Sequence, residues 1–157
     1  MPHRFAASDG LVYTEDGMFH LVDDAAPEYG AGPPEPLIGL VTVSSGVGLA
    51  TFRSELEDNE PYVNLEYWQA EPPRPDGAWE DSVRATLTVP AGRLTFTSGV
   101  SMLGSPHNLA VPAGLYRLEV WCQGRAEARA READAIDQGT NLRGVERWLV
   151  RLWADSR

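Results

Sequence analysis

Residues 111–124, Val-Pro-Ala-Gly-Leu-Tyr-Arg-Leu-Glu-Val-Trp-Cys-Gln-Gly, constrain this chain more than any other stretch. A Pro112-Ala113-Gly114 turn opens a strand that sets Tyr116, Leu118, Val120 and Cys122 on one face and Arg117, Glu119, Trp121 and Gln123 on the other. Alternation of this length is the period of a half-buried antiparallel strand, whereas a helix would scatter the same apolar residues around its circumference.

The rest of the chain repeats that period in short pieces separated by turns. Strands are expected at 11–14 and 18–22, joined as a hairpin through Glu15-Asp16-Gly17. Residues 23–36 carry Pro27, Pro33, Pro34 and Pro36 with few large apolar side chains, so they read as a long surface loop. Further strands are expected at 37–43, 49–53 and 62–68, then at 79–89 and 93–97 on either side of Pro90-Ala91-Gly92, and at 145–153. The expected core faces carry Val63, Leu65 and Tyr67, then Leu87, Val89, Leu94 and Phe96, and at the end Trp148, Val150 and Leu152. The one helical signal lies at 126–138, rich in Ala, Glu and Arg and ended by Gly139. Its apolar residues are almost all Ala, so it is expected to be an exposed, mobile excursion that folding can do without. These elements predict an all-β chain, with residues 1–157 forming a single-domain antiparallel β-sandwich of 8–9 strands, strand 115–123 central and one short exposed helix.

A domain of 157 residues buries roughly 70% of the surface its unfolded chain exposes, so it needs no crosslink. The single cysteine, Cys122, has no partner in the chain for a disulfide, and its strand face marks it as a core thiol rather than a nucleophile. No apolar run approaches the ~20 residues of a membrane span. The first residues lead into Ser8-Asp9-Gly10 rather than into a signal-peptide core, and a cytoplasmic location is expected.

The formal net charge is −10, and all 13 basic residues are arginine. Residues 1–81 hold 16 Asp and Glu against three Arg, net −13, while residues 82–157 hold seven against ten, net +3. Such a field argues against direct binding of nucleic acid or of an anionic membrane, and it suits either a basic protein partner or simple solubility.

No catalytic motif emerges. His3, His20 and His107 stand at no metal-ligand spacing, and phosphate-loop, nucleophile-elbow and zinc-protease patterns are missing from the sequence. No catalytic residue, cofactor or metal is expected. The carboxylates are better candidates: Glu15-Asp16, Asp23-Asp24, the cluster Glu55, Glu57, Asp58 and Glu60, and Glu80-Asp81 all fall in loops or at strand ends. They fit a negative face that docks a basic protein, loop ligands for calcium, or a solvated surface. Trp68 and Trp121 fall on outward faces, where an indole can anchor a partner, stack on a sugar ring, or be covered by another part of the fold.

One longer pattern joins these pieces. A strand ending in Thr88-Val89-Pro90, a Gly-centred hairpin into Leu94-Thr95-Phe96-Thr97-Ser98, and then Leu109-Ala110-Val111-Pro112-Ala113-Gly114-Leu115-Tyr116-Arg117-Leu118-Glu119-Val120-Trp121 resemble the competence protein J family over about residues 79–124. Those small bacterial proteins inhibit a nuclease that acts on incoming DNA. The resemblance implies a non-enzymatic inhibitor or immunity-type protein that occludes a basic partner such as a nuclease. Glu55, Glu57, Asp58 and Glu60, with Trp68 and Trp121, are then the expected partner-binding residues. The alternative is a ligand-binding sandwich module for carbohydrate or calcium.

Overall fold

Two five-stranded sheets face each other across an aromatic core, with one helix at the end of the sandwich. The structure, a computed structural model, describes residues 1–26, 39–44, 47–98 and 108–156. The first half of the chain contributes β1 (Arg4–Leu11), β2 (Met18–Asp23), β3 (Val41–Ser44), β4 (Leu49–Arg53) and β5 (Glu60–Trp68). The second half contributes β6 (Asp81–Val89), β7 (Arg93–Thr97), β8 (Asn108–Ala110), β9 (Gly114–Gln123), α1 (Arg125–Gln138) and β10 (Arg143–Ala154). Sheet A runs β1-β5-β10-β9-β6 and sheet B runs β3-β4-β2-β7-β8.

The all-β sandwich is as expected, with corrections of detail. Ten strands are present among the described residues rather than 8–9, because the short β8 adds an edge to sheet B, and the first strand, β1, runs over Arg4–Leu11 and not over 11–14. Sheet B is antiparallel throughout, but β5 and β10 pair in parallel, which puts Trp148 beside Val63 and Leu152 beside Tyr67. The centre of sheet A is β10, and β9 lies between it and the edge strand β6. The expected hairpin at Glu15-Asp16-Gly17 is instead a crossing from sheet A to sheet B, retaining one Glu15–Met18 bridge. Asp16 and Gly17 turn it with successive left-handed φ values of 52° and 76°. The expected strand at 37–43 is seen only as β3, since Leu37 and Ile38 fall outside the described residues, as do most of the proline-rich stretch and His107.

The alternating faces land where their period requires. Tyr116, Leu118, Val120 and Cys122 of β9 are all buried, together with Val63, Leu65, Leu87, Val89, Leu94, Phe96, Trp148, Val150 and Leu152, while Tyr67 packs partly buried against them. Phe19 stacks on Phe52 at 5.0 Å between ring centres, and both meet Trp148 edge-on at 5.3 and 5.9 Å. Such pairs add about 0.5–1.5 kcal/mol each beyond their buried area. Tyr116 donates its hydroxyl to the Pro112 carbonyl at 2.5 Å, folding the Pro-Ala-Gly turn back on its own strand. Burial, with Tyr67 nearby, pushes the Tyr116 phenol up to about 12.

Both faces of β10 are covered. Arg151 on its outer face bonds the buried Glu119 of β9 and donates to the Pro73 carbonyl at 2.9 Å, so the segment after β5 closes over the sheet there. Arg84 of β6 reaches the same carboxylate at 3.0 Å. Burial alone would raise the Glu119 pKa, and the bonds made to it outweigh that and hold it low.

Candidate functional site

The loop between β4 and β5, residues 54–59, owes its shape to one buried carboxylate. Glu146 shares a face of β10 with Trp148 and lies wholly out of solvent. Its Oε2 accepts from the Ser54 hydroxyl at 3.1 Å, the Glu55 backbone N–H at 3.0 Å and the Asn59 amide at 3.3 Å. Its Oε1 accepts from the Trp148 indole at 2.5 Å. Burial raises the Glu146 pKa, and these donors, with Arg125 at 4.0 Å, pull against that without reversing it. From the other side the loop is stitched to the Glu15–Gly17 turn: Gly17 N–H donates to the Glu57 carbonyl, Ser54 N–H to the Gly17 carbonyl, and Asn59 N–H to the Thr14 hydroxyl. Leu56 is buried beneath it. With its backbone held from within, the loop turns its carboxylates outward.

Those four carboxylates divide into two pairs. Glu55 binds Arg125 at 2.8 Å and Arg129 at 2.5 Å, and Glu60 binds Arg143 at 3.2 Å. Glu57 and Asp58 are exposed and make no ion pair among the described residues. The stitched turn brings the exposed Glu15 and Asp16 alongside them, a grouping that separation in the chain conceals.

Helix α1 is held against this loop. Gly124 leaves β9 at φ +83°, and a Cβ there would stand 2.0 Å from the Val145 carbonyl oxygen, so only glycine fits the junction. Arg125 then donates to the Arg53 carbonyl at 2.8 Å and lies 5.9 Å from the Trp148 ring, while Ala128 is fully buried. Alanine supplies the helix with little buried area, and two long arginines tie its first turns to Glu55.

No family model matches the chain, and no curated protein matches it in sequence. Two solved structures match in shape, each covering 99% of both chains. One is ComJ from Bacillus subtilis, described as an inhibitor of the DNA-degrading activity of NucA, with a TM-score of 0.60 and 11% identity. The other is described as crocagin biosynthetic gene J, with a TM-score of 0.61 and 12% identity. This chain shares their fold. The likeness to ComJ thus extends beyond the third of the sequence that carries the resemblance, through α1 and β10 to the end of the chain.

Within this ComJ-like fold the expected partner-binding tryptophans lie apart from the acidic loop. Trp68 ends β5, eight residues and about 26 Å along the strand from Glu60, and its indole donates to Glu66 at 2.6 Å. Trp121 is half-buried on the outer face of β9, with the Arg74 guanidinium 5.5 Å from its ring. Asp23 is structural: its two oxygens accept from the backbone N–H groups of Ala25, Ala91, Gly92 and Arg93, tying to β2 the β6–β7 connection, which crosses from sheet A to sheet B and is not the expected hairpin. Burial would raise its pKa, and those four bonds together lower it. Glu80 likewise accepts from Gly124 N–H at 2.7 Å. Burial raises the Cys122 thiol far above its ordinary range, which suits a core position and not a nucleophile. Among the described residues, no three His, Cys, Asp or Glu side chains are arranged to hold a metal ion.

Proposed function

We propose that this chain is a non-enzymatic protein-binding domain that occludes a basic partner such as a nuclease. The observation carrying this reading is the full-length likeness to ComJ, an inhibitor of a DNA-degrading activity, in a chain whose exposed Glu57 and Asp58 stand beside Glu15 and Asp16. A nuclease holds DNA through basic side chains aimed at phosphates, and clustered carboxylates can occupy those side chains in place of the phosphates. Their field also speeds encounter with a positive surface. The Glu146 network supports the same reading, because a loop already held in shape loses little entropy when it docks. A cytoplasmic setting belongs to the proposal, as does a secondary role for Trp68 and Trp121.

The test is co-purification of the tagged full chain from its native host, with mass spectrometry of bound proteins, followed by a plasmid-degradation assay of any nuclease recovered. Expected are a basic nuclease partner and slower DNA degradation when the chain is added. Recovery of a nuclease whose activity the chain leaves unchanged would overturn the reading.

A further inference from the structure

A groove runs between the acidic loop and the second half of α1, lined by Leu56, Asp58, Glu132, Ile136, Thr140 and Leu142. Its volume is about 190 Å³, below the ~300 Å³ at which pockets for small ligands begin. Two features of the groove run against what the chain would choose for stability alone. Ile136 is 70% exposed although it sits beside the half-buried Leu142. The C-terminal end of α1 also carries acids where a helix favours cations: its last turn holds no basic residue, and Glu132, Asp134 and Asp137 make no ion pair among the described residues. The negative end of the helix dipole therefore adds to those carboxylates and to Asp58, with no arginine lining the groove to offset them. The arginines nearby are engaged elsewhere, Arg129 with Glu55, Arg131 with Glu127 and Arg143 with Glu60.

We infer that this groove receives an arginine or lysine of the partner together with an adjoining aliphatic side chain. The cation lies between Asp58 and Glu132 at the carbonyl end of α1, and the aliphatic group covers Ile136 and Leu142. Charge complementarity selects the cation, and the exposed isoleucine selects a partner whose basic residue has an apolar neighbour over one that is merely positive. The inference rests on the proposed function and adds to it a specificity element outside the loop itself.

Two capped synthetic peptides of equal length and charge, one alternating Arg with Leu and the other Arg with Ser, separate the two ideas. Each is titrated into the isotope-labelled full chain and followed by heteronuclear NMR. The Arg-Leu peptide is expected to bind about tenfold more tightly, with the largest shifts at Asp58, Ile136 and Leu142. Ile136→Ser should remove that advantage and Ile136→Leu should keep it, with circular dichroism checking that α1 remains intact. Equal affinities of the two peptides for the unmodified chain, or an advantage that survives Ile136→Ser, would overturn the groove and leave the acidic-face reading standing. If neither peptide binds at low salt, both fall.

Discussion

The Ser54 hydroxyl donates to the Glu146 carboxylate at 3.1 Å across 92 residues of sequence, joining the start of the acidic loop to the central strand of sheet A. That contact belongs to a set of four donors that converge on one buried carboxylate, and it makes the shape of an exposed loop depend on a residue the solvent never meets.

Glu146→Ala is therefore expected to cost about 3–5 kcal/mol, since it takes the acceptor from four donors, three of them buried. Glu146→Gln is expected to cost less, but its amide sets an N–H group against one of those donors. Because the folded pKa of Glu146 is raised, the native state holds a proton that the unfolded state has released. Its contribution to stability falls as pH rises from the ordinary glutamate value to the raised one and is flat above it. Urea denaturation across pH 4–8 checks this: the difference between wild type and Glu146→Gln should change over that window alone.

Asp23 has the opposite sign. Its pKa is lowered in the fold, so its contribution is fully present above the ordinary aspartate value and is lost as pH falls through the lowered one. Asp23→Ala, which strips four backbone N–H groups of their acceptor, is expected to cost about 3 kcal/mol at neutral pH and progressively less in acid. Thermal unfolding at pH 7 and pH 3 measures both.

Gly124→Ala should destabilise the chain by more than about 2 kcal/mol, because the added Cβ collides with the Val145 carbonyl in a backbone conformation that alanine itself resists. The displaced junction carries Arg125 and Arg129 with it. Amide exchange along α1 should accelerate, and a helix that exchanges as in wild type would show that the junction absorbs the change.

Reversing Glu57 and Asp58 together should leave stability within about 0.5 kcal/mol, as both are exposed and outside any ion pair among the described residues. Glu55→Ala should instead cost about 1 kcal/mol and loosen α1, since it releases two arginines at once. Stopped-flow association with a basic partner at low and high salt completes the comparison. The double reversal should slow binding and flatten its salt dependence, because exposed charges act mainly on encounter.

What the sequence determined by itself is what repeats with the period of a strand. The buried face of β9, the core sides of β6 and β7 and the run Trp148, Val150, Leu152 were all legible, because alternation is local and sheet burial follows from it. Tertiary structure alone decided what joins residues far apart. Alternation reports the face of a strand and not its neighbour, so nothing local announced that β5 and β10 lie side by side and parallel, or that β1 and β2 belong to different sheets. Nor could the four acids of residues 55–60 be divided into two held and two exposed, since that depends on arginines about 70 and 80 residues later reaching back across the end of the sandwich. Arginine carries its charge on a long flexible stem whose reach leaves no periodic trace, and a buried glutamate such as Glu146 reads in sequence like any solvated one until the fold removes the water and supplies the donors.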